Sequence, residues 1–247
     1  MCYHKIMYRK SHRARRIATA LVALCGVGAW LVVNPASYET IFTKVEEPVA
    51  EAVTSTPKAL DILEKLAVKG RAPKTDYDRE LFYKTWPTVD GCNLRQRIIK
   101  REFGDTAQFA IGDDCTVISG EYDEPYTGEH KIFTAKSAIS KGIQIDHVVA
   151  LSDAWQKGAS YWDSEKRYAL ATDPLNLLAV DASANTQKSD GDAATWLPKN
   201  KKFRCEYVAR QVSVKYKYNL WVTEAEKSAI AKILANCPNE PAIGVEL

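Results

Sequence analysis

The spacing of apolar residues along the chain marks out a small set of elements. Ile17–Val33 is an uncharged apolar run of 17 residues behind a basic stretch. From Tyr38 the pattern fades: EEPVAEAVTSTP has no sustained apolar period and reads as a flexible spacer. Lys58–Val68 then sets Leu60, Ile62, Leu63, Leu66 and Ala67 at helical spacing, closed by Gly70 and Pro73. Asn93–Phe103 predicts a helix with Leu94, Ile98 and Ile99 inward and Arg95, Arg97, Lys100 and Arg101 outward. Cys115–Ser119 and Lys131–Ala135 read as strands around the turn-rich EYDEPYTGEH. Gln144–Leu151 and Leu175–Val180, rich in branched apolar residues, read as two further strands, and Tyr161–Leu170 between them as a helix. After the second strand, Asp181 or Ser183 caps a short helix in which Asn185 and Lys188 lie three apart on one face. Glu206–Lys217 is helical. The last helix carries the clearest local signal: Thr223 and Glu226 form a capping box, Ile230, Ile233 and Leu234 make the stripe, and Pro238 ends it.

Composition changes this picture mainly at the N-terminus. Residues 1–37 read as a signal peptide or N-terminal membrane anchor, with Lys5, Arg9, Lys10, Arg13, Arg15 and Arg16 ahead of the apolar run and no acidic residue. Cleavage near Ala36 and Ser37 is the first expectation, and a retained anchor the second, because 17 residues is long for a signal and short for a span. Leu24 stands where a lipoprotein signal wants a small residue before its cysteine, which argues against lipidation of Cys25. The whole chain is +3, but the leader holds six of the 34 basic residues and none of the 31 acidic ones, so the exported part is −3. Nothing in the net charge advertises nucleic-acid binding. Locally, Lys199–Lys217 carries Lys199, Lys201, Lys202, Arg204, Arg210, Lys215 and Lys217 against Glu206 alone.

The chemistry sits in Ile143–Asp190. Asp146 and His147 are adjacent, and therefore opposite-facing, in the first of the two strands. Asn176 opens the second, and Asn185 and Lys188 follow on the helix. A neutral imidazole suits proton abstraction from water near pH 7. Asp146 and Asn185 offer the hard oxygen ligands that Mg²⁺ prefers, Asn176 could hold the imidazole in one tautomer, and Lys188 could meet a phosphate oxygen. Taken singly, each has a plainer reading: a satisfied surface pair, a turn or cap asparagine, a solvated lysine.

At Asp146-His147, Asn176 and Asn185 the sequence resembles the HNH nuclease family, and in DPLNLLAVD and Asn185-Thr-Gln-Lys188 it is most similar to secreted bacterial HNH proteins and the nuclease half of GmrSD restriction enzymes. Asn185 stands where the plain three-letter pattern has a second His. The motif spans about a fifth of the chain and the wider resemblance runs from Lys74 to Cys237. It implies an α+β fold, a ββα-metal (HNH, or His-Me finger) motif embedded in a single helix-rich domain with short antiparallel strands and two disulfides. The expected layout is a leader over 1–37, a tether and one helix over 38–73, the nuclease domain over 74–238 and a tail over 239–247. The implied roles are catalytic for His147, Asn176 and Lys188 and metal-ligating for Asp146 and Asn185, with one divalent cation, Mg²⁺ before Mn²⁺. Arg95, Lys215 and Lys217 are expected to contact nucleic-acid phosphates.

Cys2 and Cys25 belong to the leader, which leaves Cys92, Cys115, Cys205 and Cys237 in an exported, oxidising setting with three possible pairings. Cys92 with Cys115 and Cys205 with Cys237 is the expected one, since each pair brackets a local unit and the resembling secreted proteins carry cysteines in corresponding places. A zinc site would want a CxxC, and only His130 and His147 remain outside the leader. The functional expectation is an exported metal-dependent endonuclease acting on nucleic acid, DNA first, with little sequence preference, no protein partner, and membrane contact only through an uncleaved leader. The second reading is a secreted or surface-tethered binding protein on a catalytically inactive HNH scaffold. No GxSxG elbow supports a serine hydrolase.

Overall fold

In a computed structural model, which describes residues 56–245, the first element is helix α1 (Ala59–Lys65). It stops at Leu66, before Gly70, and buries Ile62 and Leu63. The leader and most of the tether lie outside the described residues, among which no helix is long and apolar enough to cross a membrane. A two-residue pair, β1 (Thr88–Val89) and β2 (Cys92–Asn93), leads into α2 (Leu94–Phe103), which Asn93 caps by accepting from the Arg95 amide. Strands β3 (Gln108–Ala110), β4 (Asp113–Asp123) and β5 (His130–Phe133) form an antiparallel sheet in that order. Phe103 lies across β4 so closely that a Cβ at Gly120 would run into its ring.

Helix α3 (Lys136–Gly142) feeds directly into β6 (Ile143–His147), and α4 (Leu151–Gln156) and α5 (Ser164–Thr172) precede β7 (Leu177–Asp181). β6 and β7 pair antiparallel, from Ile143 opposite Asp181 to His147 opposite Leu177. The expected strand over Gln144–Leu151 is therefore too long by four residues. The amide of Val148 donates to the Asn176 carbonyl and that of Val149 to its side-chain oxygen, which bends the chain away from β7. The expected helix from Tyr161 starts only at Ser164, where Asp163 supplies the cap that Tyr161 cannot.

The two-stranded ribbon is buried on both faces, which is why Leu177–Val180 reads as a continuous apolar run. Leu177 and Ala179 pack with Ile143 and Ile145 against α2 and β4. Leu178 and Val180 face a second core built from α1, α7 (Arg204–Tyr218) and α8 (Glu224–Leu234), and α6 (Ala182–Lys188) sits at the end of the ribbon with Asp181 as its N-cap. Cys92–Cys115 and Cys205–Cys237 are the two disulfides, closing loops with sequence separations of 23 and 32. Each restricts the unfolded chain by roughly 3–4 kcal/mol in loop-closure terms.

Beneath α8 lies a cluster of six charges, five of them buried, that the sequence pattern does not announce. Lys157 Nζ is 2.6 Å from Asp153, 2.8 Å from Asp192 and 2.7 Å from Glu226. Lys215 reaches Asp153 at 3.0 Å and Glu226 at 2.9 Å, and Arg71 closes the group against Asp153 and Asp192. Thr223 does accept from the Glu226 amide, but the Glu226 carboxylate turns inward to the lysines, so half of the expected capping box is spent elsewhere. Burial alone would raise the Asp192 carboxyl, yet Lys157 and Arg71 override it and hold its pKa at about 2. A carboxyl so depressed contributes stability that is complete above its unfolded pKa of about 3.9 and is lost as the pH falls towards 2. The expected result is a drop of about 2 kcal/mol from this group in urea unfolding between pH 5 and pH 2. A slope unchanged in Asp192→Asn would show that the loss comes from elsewhere.

Candidate active site

His147 ends β6 at the floor of an open cleft of about 590 Å³, which Asp146, Gln144 and Asn185 also line. One wall comes from the irregular segment before α2, through Tyr77, Arg79, Tyr83 and Trp86; Arg95 at the start of α2 lines the same cleft. The ring of Trp86 lies nearly parallel to the imidazole, 9° between planes and 6.0 Å between centroids, with Tyr83 at 5.8 Å.

His147 Nε2 is 2.9 Å from the Ala171 carbonyl oxygen. A carbonyl only accepts, so Nε2 carries the proton and Nδ1 keeps its lone pair. Burial pushes the imidazole pKa down to about 3, against the pull of the Ala171 carbonyl and with the help of the Arg79 and Lys188 charges. His147 is therefore neutral at pH 7, with a fixed tautomer and an unprotonated Nδ1.

Asn176 makes no hydrogen bond to that ring, unlike the direct role the sequence suggested. It is wholly buried, accepting from the Val149 amide at 2.8 Å and donating to the carbonyls of Val149 and Leu170. It thus pins the turn that leaves His147 to the end of α5, whose Ala171 carries the orienting carbonyl.

Lys188 also departs from expectation. It is 2% exposed, and its ammonium donates to Asp146 and to the His147 carbonyl, both at 2.9 Å. An enclosed ammonium needs this counter-charge, so Lys188 braces β6 from α6 and has no open donor face for a phosphate. The other oxygen of Asp146 accepts from the Tyr126 hydroxyl. Burial pushes the Asp146 carboxyl up, and Lys188 and Tyr126 act against the rise.

Asn185 donates its amide nitrogen to Gln144 at 2.8 Å, and among the described residues its carbonyl oxygen accepts no hydrogen bond. A carboxylate offers about four lone-pair directions, so each Asp146 oxygen keeps one beyond its present bond. One carboxylate and one amide oxygen on a common cleft suit a hard cation that retains several waters. The other candidate group among the described residues, Cys205, Cys237 and Glu240, does not fit a metal, because its two sulfurs are joined in a disulfide.

The expected basic face fails for a physical reason. Lys215 is fully buried in the six-charge cluster and cannot meet nucleic acid, while Lys217, half-exposed on the same helix, pairs with Asp173 at 2.7 Å away from the cleft. A charge run read along a helix samples every face, and α7 is buried on most of its circumference from Tyr207 to Lys215. Arg95 alone of the three expected contacts lines the cleft. What the sequence reading missed is the wall: Tyr77, Arg79, Tyr83 and Trp86, for which the aromatic density of Tyr77–Trp86 was the available signal.

Residues 94–233 match the family model described as GmrSD restriction endonucleases, C-terminal domain. That is more than half of the chain. The protein belongs to this family. A protein of Arthroderma benhamiae, described as an uncharacterized secreted protein, is 34% identical over 198 residues, covering 79% of this chain and 92% of that one. No solved structure matches. The GmrSD C-terminal family is of the HNH nuclease type, which generally uses a divalent metal and acts on nucleic acid. The match begins at α2 and so leaves the Tyr77–Trp86 wall outside it.

Proposed function

We propose that the protein is an exported endonuclease that hydrolyses phosphodiester bonds, DNA first and with little regard to sequence, using His147 as general base and one divalent cation. The observation that supports this most directly is the state of His147: neutral, fixed by Ala171 through Nε2, with Nδ1 unprotonated, on a cleft that Asp146 and Asn185 also line. In hydrolysis, His147 Nδ1 takes a proton from water as the water oxygen bonds to phosphorus, and the bond from phosphorus to the departing sugar oxygen breaks. Asp146 and Asn185 would hold the cation, Mg²⁺ before Mn²⁺, which when bound supplies positive charge at the phosphate and the leaving oxygen. Asn176 and Ala171 hold the base in place, Lys188 holds Asp146, and the rings of Trp86 and Tyr83 cover the imidazole. The leader and the oxidised cysteines support export.

Incubation of the oxidised protein with supercoiled plasmid and Mg²⁺ should give nicked and then degraded DNA, and excess EDTA should stop it. Failure to cut DNA or RNA with Mg²⁺ or Mn²⁺ would leave the inactive-scaffold reading in its place.

A further inference from the structure

The cations around the cleft are not equivalent. Lys74 is held by Asp190 at 2.9 Å, and Lys188 by Asp146 at 2.9 Å. Arg97 and Arg101, on α2 but not lining the cleft, are matched to Asp90 and Glu102. Arg79 and Arg95 line the cleft, yet among the described residues neither has a carboxylate within ion-pairing distance.

Arg95 is half-buried and anchored by one nitrogen to the Ile143 carbonyl at 2.9 Å, at the start of the strand that ends in His147. Its guanidinium has five N–H donors, and this bond uses one. Burial without a counter-ion lowers its pKa, a cost that a bound anion would offset. Arg79 comes from the wall segment, with its guanidinium 5.2 Å from the Tyr83 ring centroid and bonded to the Tyr83 hydroxyl. Tyr83 packs on His147, and the Arg79 charge acts on both His147 and Asp146. Two guanidinium groups without carboxylate partners thus share one cleft with the base, whereas Lys74, which lines the same cleft, is matched to Asp190.

We propose that Arg79 and Arg95 together bind the phosphate oxygens of the substrate beside His147, so that the segment carrying Arg79, which lies outside the family match, is a substrate-binding part of this enzyme. The assignment rests on the nuclease reading for its substrate, a phosphodiester backbone, and on the structure for its residues. Paired guanidinium forks suit oxyanions with several acceptor oxygens, and unlike base-edge contacts they carry no sequence information. Lys188 and Lys215 are excluded from this task by burial against their carboxylate partners, and Lys217 does not line the cleft.

The test is metal-free binding, which separates this assignment from hydrolysis. The full chain in EDTA is titrated into a short fluorescein-labelled oligodeoxynucleotide, and anisotropy is followed over a range of salt. Arg79→Ala and Arg95→Ala should each weaken binding about tenfold and lower the slope of log K against log salt by about one. Arg79→Lys should recover part of the affinity, since an ammonium keeps the charge but not the fork. Lys227→Ala, which removes a partly buried cation paired with Glu64 and outside the cleft, should bind as wild type. Arg95→Ala also removes a bond to Ile143, so the exposed Arg79→Ala decides if that variant melts early. Arg79→Ala binding within twofold of wild type, or a wild-type protein that binds no oligonucleotide in EDTA, overturns the proposal. Wild-type binding without any cleavage in Mg²⁺ would overturn the hydrolytic reading and leave this one standing.

Discussion

Replacing His147 with alanine is expected to lower Mg²⁺-dependent cleavage by about three orders of magnitude, the middle of the range for removing a positioned general base. The structure adds a cost that the sequence reading did not foresee. His147 is 5% exposed, packed under Trp86 and Tyr83, and bonded to the Ala171 carbonyl. Alanine leaves that carbonyl unpaired and a void beneath the rings, at roughly 1–3 kcal/mol for the lost partner. His147→Gln separates the two effects: its amide nitrogen can donate to Ala171 and so keep stability near wild type, while it offers no base near pH 7. Both variants should be inactive on plasmid, and only the alanine one should melt clearly lower. Cleavage at the wild-type rate by either would remove His147 from the mechanism.

The parts of the fold that were legible are those whose signal is local. Asp181 and Thr223 cap helices where the sequence puts them, and the apolar runs at Ile143 and Leu177 become the paired strands. The short helices α3 and α4 were not legible. Each has six or seven residues and no side-chain cap, and each is held by tertiary packing of residues such as Ile139 and Trp155. At the site, the order Asp146, His147, Asn176 and Asn185 was readable, but the partner of each was not. The carbonyl of Ala171, which fixes the imidazole, is a backbone group that any residue could supply. Lys188 and Lys215 look like solvated helix lysines in sequence, because the carboxylates that hold them, Asp146, Asp153 and Glu226, lie 11–62 residues away. Long-range charge pairing leaves no periodic trace, which is why both lysines were assigned to phosphate contacts.

That same pairing sets the largest stability effect. Lys157 is fully buried, with its ammonium within 2.8 Å of Asp153, Asp192 and Glu226, which arrive from α4, the turn after α6 and the first turn of α8. With Lys215 and Arg71 the cluster balances three cations against three carboxylates. Lys157→Met keeps the length of the side chain and removes the charge, leaving three buried carboxylates to share one lysine and a partly exposed arginine. Breaking a buried ion group from one side costs about 3–5 kcal/mol, a large fraction of the roughly 5–15 kcal/mol that holds a domain folded. Lys217→Met is the matched control on α7: its ammonium is half-exposed and pairs with Asp173 alone, so the expected change is within about 1 kcal/mol. Urea unfolding of the two variants should therefore separate by several kcal/mol at an unchanged m-value. Equal midpoints would show that the buried Lys157 ammonium contributes no net stability, and would overturn this prediction.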